Sequence, residues 1–187
     1  MISLIGLVGF KGSGKGEVAK YLGTERCFNN TRFRTESFAA LLKKVCKEVY
    51  GLNDEQLYGK LKEVVDPFWG VTPRAILQDI GTRGFRESVT GSDTWVRALE
   101  RRIGVGHVVI DDVRFGNEIQ MIRRRGGEIW LVSRPEADPG IPTDQLHESE
   151  RLPREGGLFF DAIIHNDGDV LDLYCEVDAI CATRGIR

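Results

Sequence analysis

The stretch Gly9-Phe10-Lys11-Gly12-Ser13-Gly14-Lys15-Gly16 constrains the fold of this chain more than any other. It follows the apolar run Ile2, Leu4, Ile5, Leu7, Val8, which reads as a buried strand, and precedes Val18-Ala19-Lys20-Tyr21-Leu22, which reads as the body of a helix. Strand, glycine-rich loop and helix in that order are the context that a phosphate-binding loop requires. Glycines let backbone N–H groups turn inward around a phosphate, because no Cβ blocks the needed dihedrals. The helix N-terminus adds partial positive charge to the same pocket. Lys15 is placed to reach the outer phosphates as a mobile point charge. The bland alternative, an ordinary glycine-rich turn, does not account for a Ser and a Lys at this spacing at the end of the first strand.

One position departs from the common loop. The hydroxyl expected directly after the lysine, where it binds Mg²⁺, is replaced by Gly16, and Glu17 follows. A glycine there also occurs in adenylate-kinase-like loops, so the departure narrows the subclass. It leaves Mg²⁺ without an obvious side-chain ligand, to be held mostly by water and phosphate oxygens.

At 187 residues the chain suits one α/β domain. Hydrophobic residues at 41% and charged residues at 29% are ordinary for a soluble protein, and a net charge of -2 gives no basic field for nucleic acid. Cys27, Cys46, Cys175 and Cys181 show neither metal spacing nor a disulfide framework, and the last three fall in apolar helical patterns as small core residues. No apolar run is long enough to cross a bilayer, and no cleavable segment precedes the first strand. A reduced, cytoplasmic setting is expected.

A short strand is expected near Cys27-Phe28 or Arg32-Phe33. Ser37 is read as the cap of a helix carrying Phe38, Leu41, Leu42, Val45, Val49 and Tyr50, closed by Gly51. Asn53 and Gln56 have capping-box spacing, and Thr72-Pro73 opens a further helix that stops at Gly81. On that helix Arg74 and Gln78 stand four residues apart and share a face, able to read a phosphate and a base edge or simply to be solvated. A helix from Ser92 or Asp93 turns Trp95, Val96, Leu99 and Ile103 inward. The run His107-Val108-Val109-Ile110 reads as a buried parallel strand that delivers Asp112 and Arg114 to the edge holding the loop. An acid there can hold Mg²⁺ through water, or else serve as a loop cap. Asn117 to Arg125 is the crossover helix, and Ile129 to Val132 the next strand, followed by Arg134. Residues 135–157 lack periodicity and read as a lid or binding loop. Phe159 to Ile164 forms the last strand, and Asp169 caps a final helix. The expected architecture is α/β: a doubly wound parallel sheet of about five strands flanked by helices. Its core spans 1–34 and 104–187, with a helical substrate-binding lobe at about 36–103 laid over the loop edge.

These motifs resemble the deoxynucleoside monophosphate kinases of tailed bacteriophages, within the P-loop nucleoside monophosphate kinase superfamily. The resemblance runs over nearly the whole chain. It is carried by the Gly9-to-Lys15 loop, Phe38-Ala39 with Leu42-Lys43, Thr72-Pro73-Arg74 with Gln78 and Gly81-Thr82, Arg86 and Trp95. Further on come Asp112-Val113-Arg114-Phe115 with Asn117-Glu118, Gly126-Gly127, Arg134, His147-Glu148-Ser149-Glu150, Asp161, and Asn166-Asp167-Gly168. Such proteins carry Asp-Thr where this chain has Gly16-Glu17, and Asp-Pro where it has Ala40-Leu41. The first departure leaves the Mg²⁺ arrangement open, and the second makes base preference less transferable.

The resemblance implies transfer of the ATP γ-phosphoryl group to a deoxynucleoside monophosphate, with Mg²⁺ as cofactor. This chemistry depends on charge neutralisation and in-line positioning more than on acid–base work. It assigns Gly9, Lys11, Gly12, Ser13, Gly14, Lys15, Gly16 and Glu17 to the ATP phosphates. Lys15, Arg114 and Arg134 act on the transferring group, and Asp112 organises Mg²⁺-bound water. Arg74 and Arg86 clamp the monophosphate, Gln78 reads the base, and Lys43, Phe38 and Trp95 shape the pocket, although Phe38 and Trp95 read as core more readily than as stacking platforms. Neither a nucleic-acid polymer nor a membrane is an expected partner, and a homodimer stays open. Rival readings are a kinase for dephospho-coenzyme A or a ribonucleoside monophosphate, and a non-catalytic nucleotide switch. Gly16 argues against the switch, which uses a hydroxyl there to sense Mg²⁺.

Overall fold

A computed structural model of the chain describes residues 4–24, 31–81, 91, 93–155 and 160–186. Five parallel strands form one sheet in the order β2-β3-β1-β4-β5. They are β1 (Leu4–Val8), β2 (Arg34–Glu36), β3 (Val108–Ile110), β4 (Glu128–Ser133) and β5 (Ala162–His165). All five residues of β1 are buried, and so are the three of β3. That is why both sequences are continuous apolar runs: a parallel strand covered on both faces has no solvent side to alternate with. β1 pairs with β3 through Leu4↔Val108 and with β4 through Leu7↔Trp130.

The chain divides into two compact units, one formed by Met1–Ser37 with Ile103–Arg187 and the other by Phe38–Arg102. In the first, helices α1 (Lys15–Leu22), α6 (Gly116–Arg124) and α8 (Val170–Arg184) join the sheet. A buried cluster that includes Leu7, Leu22, Phe33, Trp130, Ile164 and Val177 links β1, β4 and β5 to α1 and α8. Gly6 has a packing reason. A Cβ there would lie 2.5 Å from Ile122 Cδ1 of α6, so glycine permits that helix to sit close on the sheet. Asp169 accepts N–H bonds from Leu171 at 2.7 Å and Asp172 at 3.0 Å, capping α8 as its sequence predicts.

The second unit holds α2 (Ala39–Tyr50), α3 (Asp54–Leu57), α4 (Pro73–Asp79) and α5 (Thr94–Arg102). Cys46, Leu52, Leu57, Ile76 and Leu77 form its core. Gly51 closes α2 in the left-handed region at φ 67°, Asn53 and Gln56 make the expected capping box, and Thr72 caps α4 ahead of Pro73.

Several local expectations change. Ser37 does not cap α2; Phe38 is the N-cap residue without a side-chain bond, and the Ser37 hydroxyl is engaged by Asp112. Residues 32–33 precede β2 rather than forming it, and the possible strand at 27–28 falls outside the described residues. The last strand begins at Ala162, after Asp161, whose side chain accepts the Ile129 N–H at 2.7 Å; Phe159 lies outside the described residues. Cys175 is exposed, whereas Cys46 and Cys181 are buried; the position falls on the solvent side of α8 between Leu173 and Val177. Cys27 lies outside the described residues. Among the described residues no helix is long and apolar enough to cross a membrane.

Candidate active site

The site begins where β1 ends. Gly9, Gly12 and Gly14 have φ of 156°, 86° and 103°, and the turn closes through a Ser13 N–H to Phe10 carbonyl bond of 3.1 Å. At Gly12 and Gly14 these dihedrals belong to the region that L side chains avoid. Lys15 and Gly16 open α1, so their N–H groups have no acceptor within the helix and are available to an anion. A Cβ added to Gly12 or Gly16 would meet nothing within 4 Å, so the loop is open there rather than packed. Lys11 and Gly12 are exposed, and Ser13 is wholly buried.

Lys15 folds back on its own loop, its Nζ donating to the Gly9 carbonyl at 2.7 Å and to the Phe10 carbonyl at 2.8 Å. Burial brings its pKa down to about 8, and the nearby Arg114 guanidinium pushes the same way, against the pull of Glu150, Asp111 and Asp112. These four charges therefore share the electrostatic environment of Lys15. The end of β3 supplies three of them. Asp112 accepts the Ser37 hydroxyl at 2.6 Å, which ties the carboxylate to the chain leaving β2. The turn after it is fixed from inside. The Glu118 carboxylate, 5% exposed, accepts the N–H groups of Arg114 at 2.6 Å and Phe115 at 3.1 Å. Arg114 then donates to Glu150 at 3.1 Å.

Glu150 belongs to the 135–155 segment, which consists of single 3₁₀ turns and the short helix α7 (Leu152–Glu155). Two arginines tie this segment together. Arg151 donates to the carbonyls of Leu146 at 3.0 Å and Asp144 at 3.2 Å. Arg154 holds the Asp138 carboxylate and the Ile141 carbonyl, and its guanidinium lies 5.5 Å from the centre of the Phe10 ring. The segment is thereby fastened to the loop at Phe10 and to the β3 edge at Arg114.

Other expected residues have partners of their own. Arg134, which follows β4, is exposed and reaches Glu136 at 3.4 Å. Glu17 reaches to α8. Its carboxylate accepts the Tyr174 hydroxyl, which holds it below the usual carboxylate range, and its N–H is spent on the Gly14 carbonyl at 3.0 Å. His147 is exposed and bonded to Ser149 at 2.9 Å.

The residues expected to bind the monophosphate belong to the second unit, apart from Arg86, which lies outside the described residues. Arg74 is ion-paired with Glu63, and Gln78 is exposed one turn further along α4. Lys43 Nζ sits 4.2 Å from the centre of the Tyr58 ring. Phe38 is buried, and the Trp95 indole N–H donates to the Gly81 carbonyl at 3.2 Å. Sequence reasoning gave no role to Glu118, Glu150 or Asn166, which fix backbone or pair charges. Their signal was present only as matched positions in the resemblance.

Asp111 and Asp112 are oxygen donors suited to a hard cation. Among the described residues no group of three or more His, Cys, Asp or Glu side chains forms a cage. That donor set fits a Mg²⁺ ion that keeps water and phosphate oxygens as most of its ligands.

The sheet, the loop and the β3 edge together define a P-loop kinase α/β fold. Shikimate kinase from Acinetobacter baumannii, solved with shikimate, has the same fold at TM-score 0.53 and 16% identity, over 100% of this chain and 97% of that one. No family model matches the chain. A protein of Acanthamoeba polyphaga mimivirus that carries the provisional assignment deoxynucleotide monophosphate kinase is 36% identical over 190 residues, covering 93% of each chain. The chain belongs to this nucleoside monophosphate kinase-like family, and it is a phosphotransferase of the P-loop kinase type.

Proposed function

We propose that the chain transfers the γ-phosphoryl group of ATP to the α-phosphate of a deoxynucleoside monophosphate, giving the diphosphate and ADP for DNA precursor synthesis. The support is Lys15 folded on its loop, with the charges of Arg114, Glu150, Asp111 and Asp112 acting on it. An acceptor that is already an ionised phosphate needs positioning and charge neutralisation, not a strong base, and this is a site of that kind. The mimivirus relative and the phage resemblance supply the choice of acceptor.

In this mechanism the N–H groups of Gly14, Lys15 and Gly16 cradle the ATP phosphates. Lys15 leaves the Gly9 and Phe10 carbonyls to pair with the outer phosphates. Arg114 exchanges Glu150 for the transferring group, and Arg134 approaches from the end of β4. Asp112, steadied by Ser37, would hold Mg²⁺ through water, and Asp111 is a second oxygen donor on the same turn. When bound with ATP, Mg²⁺ neutralises charge developing on the phosphate oxygens. Arg74 and Arg86 hold the acceptor phosphate, Gln78 reads its base, and Lys43 borders that pocket. The 135–155 segment excludes water, which favours transfer over hydrolysis.

The test is ADP release from ATP and Mg²⁺ with dTMP, dGMP, dCMP, dAMP, their ribose counterparts and dephospho-coenzyme A, each supplied singly. Turnover with deoxynucleotides in preference to the others is expected. Turnover with dephospho-coenzyme A alone, or with ribonucleotides alone, would assign the acceptor differently.

A further inference from the structure

We infer that Asn166 is a positioning residue of the phosphate loop, its side-chain amide fixing the Ser13–Gly14 peptide so that the Gly14 N–H faces the bound phosphates. Asn166 directly follows β5, and its backbone N–H donates to the Ser133 carbonyl at 2.8 Å, which anchors its main chain to β4. The residue is 8% exposed, and Nδ2 donates to the Ser13 carbonyl at 2.8 Å. The bond spans 153 positions of sequence, from the first loop to the last strand.

The consequence follows from peptide geometry. No peptide among the described residues is cis. In a trans peptide the C=O and the following N–H point in opposite directions. Drawing the Ser13 oxygen toward Asn166 therefore turns the Gly14 N–H away from the packed β5 side and toward the open side of the loop. Without the tether that orientation is poorly determined, because a glycine accommodates either direction of the peptide plane. Two observations show that the task falls to Asn166. The Ser13 hydroxyl is buried without a hydrogen-bond partner among the described residues, so its own side chain does not anchor the turn. A Cβ on Gly14 would lie 2.4 Å from Asn166 Nδ2, so the glycine is required for the amide to approach.

The inference rests on the reading of the loop as an ATP site, and one experiment separates the two. ATP binding is measured by calorimetry on the wild type, Asn166→Ala and Asn166→Asp, together with KM for each substrate and a thermal melt. Asn166→Asp keeps the shape but sets an acceptor against the Ser13 carbonyl. Both variants are expected to bind ATP at least about tenfold more weakly, with KM for the monophosphate within about twofold of wild type. Should Asn166→Ala not fold, Asn166→Leu, which keeps the bulk and removes the donor, is judged by the same split. Wild-type ATP affinity in these variants, or equal losses for both substrates, would overturn the positioning role. A wild type that binds no ATP would instead overturn the site reading and the inference with it.

Discussion

Arg114 donates to the Glu150 carboxylate at 3.1 Å, joining the turn after β3 to the 135–155 segment. The two side chains are 45% and 30% exposed, so the pair is a solvated one. Such pairs contribute about 0.2–1 kcal/mol, a factor of roughly 1.4 to 5 in an equilibrium. A phosphate that recruits Arg114 must displace Glu150. Glu150→Gln is therefore expected to lower KM for ATP by up to about fivefold in steady-state assays. A rise in KM would mean that Glu150 assists nucleotide binding rather than competing with it.

Lys15 is held by the Gly9 and Phe10 carbonyls, with its pKa brought down to about 8 chiefly by burial. Lys15→Ala is expected to reduce kcat by about 100-fold or more while leaving the circular dichroism spectrum unchanged. Phosphates beside the ammonium stabilise its charged form, so ATP binding should take up protons near pH 8, and affinity should fall as pH rises through that value. Calorimetry in two buffers of different ionisation heat measures this directly. The sign for stability is opposite. Between about 8 and the ordinary 10.5 the unfolded chain holds more protons, so this group makes the ligand-free fold more stable as pH rises across that window.

Arg74 is paired with Glu63 within its own unit. If it serves the acceptor, Arg74→Ala should raise KM for the monophosphate about tenfold or more, with ATP affinity within about twofold of wild type, consistent with a charge-assisted contact worth about 1.5–3 kcal/mol. Equal losses for both substrates would remove Arg74 from the acceptor site.

Tyr174 stacks on Tyr21 with ring centres 4.0 Å apart and donates its hydroxyl to Glu17. Tyr174→Phe keeps the stack and removes the bond. The bond depresses the Glu17 carboxyl from its ordinary 4.5, so its stabilisation is present above that value and disappears as pH falls through the lower folded value. A Tm reduced by about 2–4 °C at pH 7 is expected, closing on acidification below pH 4.5. A gap independent of pH would mean that the hydroxyl acts through packing.

What could be read from the sequence is what local rules determine. The apolar runs at Leu4–Val8 and Val108–Ile110 announced parallel strands, and Asn53, Thr72 and Asp169 announced their helix starts, because a strand buried on both faces and a capped helix each leave a short-range signature. The glycine spacing of the loop did the same. Long-range partners left none. Ser37 had the sequence of a cap but meets Asp112, 75 residues away, and Glu17 meets Tyr174, 157 residues away. Arg114 and Glu150 are likewise joined only by folding. Cys175 shared the apolar helical pattern of its neighbours, yet the turn of α8 places it in solvent.

The central claim is that the γ-phosphoryl group of ATP passes to the acceptor's α-phosphate. The direct measurement follows labelled γ-phosphate from ATP into product, with Mg²⁺ and an accepted deoxynucleoside monophosphate. Label at the β position of the deoxynucleoside diphosphate, formed in step with unlabelled ADP, is the expected result. Label recovered only as inorganic phosphate, with the monophosphate unchanged, would contradict the account.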